Sequence, residues 1–143
     1  ASQVKIDGKP LSEMNLSNER WEEIKHDTVQ GGSRIIKLRG RSSFQSPAYN
    51  AVKMIEAAMG GEKFTLPAGC YVNDDRLGFK NVMMAMPTTI DKTGVHYDLP
   101  TGTEEEMAAL KASYEHLCKM RDEIVTLGII PAVADWKKDN VNL

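Results

Sequence analysis

The chain has 143 residues, of which 41% are hydrophobic and 27% charged, with 18 Lys and Arg set against 20 Asp and Glu. That length and balance suit one globular domain with a core of its own. A formal net charge of −2 gives no reason to expect nucleic acid or an anionic membrane as a partner, and no segment reaches the ~18–20 apolar residues of a membrane span. The two cysteines, Cys70 and Cys118, fit no metal or redox spacing. They read as reduced, buried thiols of a cytoplasmic protein rather than as a disulfide, since a core of this size needs no covalent staple.

From the N-terminus, Gln3–Ile6 alternates polar and apolar. Asp7-Gly8 then forms a turn before Lys9-Pro10-Leu11, which predicts a short strand or extended edge. Ser17 is a candidate N-cap for a helix carrying Trp21, Ile24, Thr28, Ile35 and Leu38 on one face. The spacing persists through Gly31-Gly32, which predicts one long helix bent at the two glycines. Arg34, Lys37 and Arg39 lie near its end, where cations complement the helix dipole.

A polar loop follows, holding Ser42, Ser43 and Ser46, with Gln45 among them. Pro47 can occupy the first helical position, with Ser46 as N-cap, because the ring's missing N–H is no loss there. The second helix then carries Ala48, Ala51, Val52, Ile55 and Met59 as its apolar stripe, and Gly60-Gly61 ends it. Its alanines would let another helix or a second subunit approach closely. A helix start of this kind presents unpaired backbone donors and a partial positive charge, which suit an anionic group.

The period then changes to that of strands. Phe64-Thr65-Leu66 and Cys70-Tyr71-Val72 are short candidates broken by Pro67 and Gly69, and Asn73–Gly78 is a turn by composition. Asn81–Ile90 reads as one longer strand, with Pro87 marking an edge or a bulge. Asp91–Gly94 is the hairpin loop returning into Val95-His96-Tyr97. Thr103 and Glu106 form a capping box for a last helix with Met107, Leu110, Tyr114, Leu117, Arg121 and Ile124 on one face. Arg121 is the polar exception on that face. Gly128 stops the helix, and a tail with Trp136 is expected to dock back loosely or not at all.

Few of these residues offer chemistry. His26, His96 and His116 stand in no metal-ligand spacing and next to no acidic residue in a recognised motif. Solvent-facing positions are expected for His26 and His116. Glu104-Glu105-Glu106 is explained by the dipole of the helix it opens, and Asp74-Asp75 by a turn. No Gly-rich phosphate cradle is present. Arg34, Lys37, Arg39 and Arg41 lack the aromatic interleaving of a nucleic-acid surface. The serine cluster reads equally well as a helix-capping loop and as a ligand site.

The order of these pieces resembles the C-terminal half of the lactate/malate dehydrogenase family. It runs V-x-I-D-G-x-P-L from Val4, then L-S-x-E-x-W from Leu16, then I-I-K-L-R-G from Ile35, and R-S-S-F-Q-S-P-A-Y-N-A-V from Arg41. The strands Asn81–Tyr97 and the helix from Thr103 keep the family order, so the resemblance spans practically the whole chain. The malate branch is the closer likeness. Ser42 stands where lactate-type loops carry Thr, Phe44 where they carry Trp, and Pro47 where malate-type loops carry Pro. Arg41 departs from the small residue common before that serine.

The resemblance implies an α+β fold of long helices packed on a twisted, largely antiparallel sheet, over a single domain 1–143. It implies an NAD-dependent oxidoreductase that interconverts malate and oxaloacetate in the tricarboxylic acid cycle, working as a homo-oligomer. Ser42 would then contribute a hydroxyl hydrogen bond to the bound dicarboxylate, while Ser46 and Pro47 would line the nicotinamide side of the NAD pocket. No metal is implied. The family's dinucleotide fingerprint and its catalytic histidine precede the segment matched here. The chain, which does not open on Met, is accordingly expected to lack the NAD-binding Rossmann domain and to be inactive alone. Two alternatives are the same half of a lactate or other 2-hydroxyacid dehydrogenase, and a non-catalytic interaction module on this fold.

Overall fold

The computed structural model describes residues 3–140. It divides into two compact units, Ala1–Glu56 and Ala57–Leu143, each taken by itself below. The class is α+β, with its strands paired antiparallel throughout as three two-stranded ladders.

In the first unit, β1 (Lys5–Ile6) pairs with β2 (Lys9–Pro10). Asp7 and Gly8 both take positive φ, 51° and 80°, the backbone a two-residue turn needs to match the twist of its strands. A single 3-10 turn, Leu11–Glu13, leads to α1 (Asn18–Arg39). The expected cap is present: the Ser17 side chain accepts a hydrogen bond from the Arg20 N–H at 3.2 Å. Helix α1 runs unbroken through Gly31-Gly32 and closes on Gly40, whose φ of 71° lets its N–H bond Ile36 O at 2.8 Å. The helical period was a true signal of helix but not of core. Trp21 and Ile24 are half-buried, whereas Thr28, Ile35 and Leu38 are exposed.

Helix α2 spans Gln45–Ala58 and begins earlier than the position of Pro47 suggests. Phe44 O accepts from Ala48 N–H at 3.0 Å, so Phe44, not Ser46, is the N-cap. Ser46 and Pro47 occupy the second and third helical positions. The reason given for Pro47 survives the shift, since none of the first-turn N–H groups has an intrahelical partner.

The second unit contains the core. Strand β3 (Ala68–Asp74) pairs with β4 (Phe79–Met86), and β5 (Thr88–Asp91) with β6 (Gly94–Tyr97). Gly69 does not break β3: it pairs with Ala85 inside the ladder, and Asn73 and Asp74 belong to the strand rather than the turn. Phe64 joins Ile90 by one isolated bridge. The single strand expected over Asn81–Ile90 is two strands. Burial alternates in phase straight through Pro87, but Pro87 has no N–H to offer a ladder. Pairing passes there from β3 to β6.

Cys70, Val72, Phe79, Val82, Met84 and Met86 form the buried cluster, closed by Leu77, Tyr97, Leu110, Tyr114 and Leu117. The last three of these come from α3 (Glu104–Thr126), which opens on the expected capping box. Glu106 N–H donates to Thr103 Oγ1 at 3.2 Å, and Thr103 N–H to Glu106 Oε2 at 2.9 Å. The helix ends in a Schellman closure on Gly128, with Ile129 N–H on Ile124 O at 3.0 Å and Gly128 N–H on Val125 O at 2.9 Å. Tyr114 stacks on Phe79 with ring centroids 4.2 Å apart, and its hydroxyl accepts from Lys80 N–H at 3.1 Å.

Arg121, the polar residue on the apolar face, has a structural task. Its Nη1 donates to Lys80 O at 3.0 Å and Asn81 O at 2.8 Å, where β4 leaves regular register and Asn81 takes a φ of 52°. The tail is more ordered than expected. It forms a 3-10 turn and α4 (Trp136–Asp139), and Trp136 is held by an Nε1 hydrogen bond to Pro131 O at 2.9 Å and a ring contact with Tyr71.

Candidate functional site

The segment Gly40–Pro47 has the geometry that could receive a small anion. Gly40 turns the chain out of α1, and Phe44 turns it into α2. Ser42, Phe44, Ser46 and Pro47 are exposed, and Ser43 is half-buried. The loop is braced through Gln45. Its Oε1 accepts from Arg39 Nη1 at 3.2 Å and lies 3.3 Å from Ser43 Oγ. Ser43 is therefore the serine that holds the loop, and Ser42 the one that faces outward. Ser46, within the first turn, shares that exposure with Pro47. At the mouth of α2 the Gln45 and Ser46 N–H groups are backbone donors without an intrahelical acceptor.

Charge is distributed unevenly along this segment. Arg34 bonds Asp27 at 2.5 Å, a partner seven residues toward the N-terminus, so its head is directed away from the loop. Arg39 is tied to Gln45. The Arg41 guanidinium carbon lies 5.2 Å from the centroid of the Phe44 ring, within cation–π range. These cations, with the partial positive charge at the start of α2, favour a carboxylate over any cationic or apolar ligand.

The remaining sequence candidates, His26 of α1 apart, lie in the other unit, where His96 and Asp74 belong to structural networks. His26 and His116 are exposed, as their charged helices suggest. His96 has more company than its sequence neighbours indicate. Its Nε2 is 2.8 Å from Thr93 Oγ1, which donates to Asp91 Oδ1 at 2.5 Å, and Asp91 also meets Lys63 at 3.2 Å. The Thr93 hydroxyl, the Thr93 N–H and then Lys63 hold the Asp91 carboxyl well below the usual carboxylate range. Asp91-Lys92-Thr93-Gly94 was legible as a turn, but only the β5–β6 pairing brings His96 over it.

Asp74 is not a solvated turn residue. It is buried, accepts from Arg76 Nε at 3.0 Å and Nη2 at 2.5 Å, and receives the Tyr97 hydroxyl at 3.3 Å. The Arg76 guanidinium holds its carboxyl down at about 2 against the burial that would raise it. Cys70 and Cys118 are free thiols, the first buried and the second half-buried. Among the described residues no group of three or more His, Cys, Asp or Glu could hold a metal ion, and no helix is long and apolar enough to cross a membrane.

Comparison with known proteins identifies the family of the chain that carries this loop. The profile of the lactate/malate dehydrogenase, alpha/beta C-terminal domain matches residues 1–127. The malate dehydrogenase of Pelagibacter ubique (strain HTCC1062) is 35% identical over 134 residues, covering 85% of this chain and 42% of that protein. Among solved structures, malate dehydrogenase from Salinibacter ruber superposes with a TM-score of 0.75 at 27% identity, covering 86% of this chain and 40% of that one. Malate dehydrogenase from Plasmodium falciparum in complex with NADH superposes with a TM-score of 0.68 at 25% identity, covering 87% and 43%. The chain thus spans about two-fifths of the length of the relatives it matches.

Proposed function

We propose a role for this chain within the lactate/malate dehydrogenase family, to which it belongs as the C-terminal domain: it is the substrate-facing half of an NAD-dependent malate dehydrogenase. The observation that carries the reading is the loop itself. The R-S-S-F-Q-S-P order sits between two helices, with Ser43 turned to brace Gln45 and Ser42 left exposed beside Arg41. Ser42 is the donor that a substrate carboxylate would meet.

In this reading each residue has a definite task. The Ser42 hydroxyl donates to a carboxylate of malate or oxaloacetate, a hydrogen bond to a charged acceptor and so stronger than a neutral one. Phe44 and Pro47 bound the pocket with surface that offers no competing hydrogen-bond donor. Ser46 and Pro47, in the exposed first turn of α2, would line the nicotinamide side of NAD. The Ser46 hydroxyl can bond the carboxamide, and Pro47 supplies a flat face. NAD, when bound, supplies the acceptor for the hydride leaving C2 of malate. Neither a Gly-rich phosphate cradle nor a histidine positioned against Ser42 occurs among the described residues of the Ala1–Glu56 unit. The proton transfer and the pyrophosphate contacts of such a reaction therefore call for groups beyond these. Cytoplasmic location and homo-oligomeric assembly belong to the same proposal.

Joining the chain to the N-terminal portion of the Pelagibacter relative tests it. The hybrid should oxidise NADH with oxaloacetate in preference to pyruvate. Ser42→Ala should lower kcat/KM by roughly 10–100-fold, the worth of one hydrogen bond to a charged group, with the fold unchanged. The unjoined chain, mixed with oxaloacetate and NADH, should show no turnover above buffer. A hybrid that prefers pyruvate, or a Ser42→Ala hybrid as active as the parent, refutes the assignment.

A further inference from the structure

We propose that Gln45 and Arg39 are positioning residues for Ser42: their side-chain bond closes the loop between α1 and α2 and fixes where the Ser42 hydroxyl stands. The inference rests on the reading of Ser42 as a substrate contact and adds to it what holds that contact in place. Among the described residues the Ser42 side chain has no hydrogen-bond partner, so its placement is inherited from the backbone on either side. That backbone is tied at its two ends by main-chain bonds, Gly40 N–H to Ile36 O at 2.8 Å and Ala48 N–H to Phe44 O at 3.0 Å. Between these ends the tie is made by side chains. Arg39 is the last residue of α1 and Gln45 the first of α2, and the bond from Arg39 Nη1 to Gln45 Oε1, at 3.2 Å, spans Gly40–Phe44 as a chord. Ser43 Oγ donates to the same oxygen at 3.3 Å. That pins the residue next to Ser42, one Cα step of about 3.8 Å away.

The residue types suit that task. A guanidinium has donors and no acceptor, so the Gln45 atom facing Arg39 is the carboxamide oxygen, and this sets the orientation of the side chain. The two lone pairs of that oxygen take Arg39 and Ser43. Glutamate would accept the same two bonds more strongly, but it would set a negative charge in the first turn of α2, beside the place where the substrate carboxylate arrives. Glutamine braces the loop without repelling the ligand. A loop restrained before binding spares the substrate the entropy of ordering it. Arg39 and Gln45 are both exposed, so water competes for their bond and its effect on binding is a modest factor.

Two measurements on Gln45→Met, which keeps the length of the side chain and removes the acceptor, test this. In the isotopically labelled full chain, the backbone amides of residues 41–44 should exchange faster and show lower order parameters, with those of residues 20–30 in α1 unchanged. In the hybrid with the Pelagibacter portion, Gln45→Met should lower kcat/KM for oxaloacetate by roughly 3–10-fold, the factor one hydrogen bond provides. In a Ser42→Ala hybrid the same substitution should change nothing further, because a group that acts through Ser42 has no effect once that hydroxyl is gone. Arg39→Met should reproduce both results, and Arg39→Lys, which keeps a donor, should recover part of the loss. Loop amides unaltered by Gln45→Met overturn the inference, whatever the hybrid does. So does a loss of kcat/KM that is the same with and without the Ser42 hydroxyl. If Ser42→Ala leaves kcat/KM at the parent value while the loop amides still respond to Gln45→Met, the brace stands, but the reading of Ser42 falls and the positioning role with it.

Discussion

Replacing Arg121 by Met asks how much of the second unit depends on one buried-face cation. Arg121 is 18% exposed and uses a single nitrogen, Nη1, to satisfy two carbonyls, Lys80 O at 3.0 Å and Asn81 O at 2.8 Å. Hydrogen bonds to charged groups contribute ~1.5–3 kcal/mol each. Sharing one donor nitrogen and partial wetting reduce the pair to about the worth of one, so the expected loss is ~2 kcal/mol. Methionine preserves most of the stem that packs along the face, which confines the loss to the polar contacts; the pair that Nε and Nη2 also make with Asp122 is on an exposed carboxylate and adds little. With a urea m-value of about 2 kcal/mol/M, the midpoint should fall by about 1 M. Trp136 reports on this unit through its contact with Tyr71, and a Trp21→Phe background removes the fluorescence of the other. Arg121→Lys, with one rotatable ammonium in place of a planar fork, should recover only part of the loss. A midpoint shift of Arg121→Met below about 0.2 M would mean that water replaces the guanidinium at no cost, and the reasoning would fail.

Three other perturbations follow from the same geometry. Asp74 has a folded-state carboxyl held at about 2, below its ordinary 3.8, chiefly by Arg76. The stability it contributes is therefore complete above about pH 4 and lost as pH falls toward 2. Acid unfolding of Asp74→Asn, followed by circular dichroism, should lack that part of the pH dependence, and an unchanged acid limb would disprove it. Thr103→Ala removes the acceptor of the Glu106 N–H and half of the capping box, which should cost about 1 kcal/mol and raise hydrogen exchange in the first turn of α3 alone. Gly94 sits at a φ of 125° with open space around it, so Gly94→Ala should destabilise the β5–β6 hairpin by backbone strain of ~1–3 kcal/mol. Thermal melting with no loss would show that the hairpin relaxes freely.

Much of the fold could be read from local pattern because local chemistry decides it. The Ser17 cap, the Thr103–Glu106 capping box, the Gly128 stop and the Asp7-Gly8 turn each depend on residues within a few positions of one another. All four are present in the structure. α2 starts two residues before the position Pro47 suggests, because proline is tolerated anywhere in a first turn. Position in the sequence alone could not choose between Phe44 and Ser46 as the cap.

What the chain settles by itself is therefore its periodicity, its caps and the ordered motifs that identify its family, all carried by neighbours in sequence. Tertiary structure decided the rest. It passed one alternating run at Pro87 from one partner strand to another, and buried Asp74 under the Tyr97 hydroxyl. It also assigned Arg121 to carbonyls forty and more residues away. Alternation states which face of a strand is inward but not which strand lies beside it, and a charged residue on an apolar face does not name its partner. Those choices belong to pairing across distance, where the energy of a contact is settled by residues the local sequence does not contain.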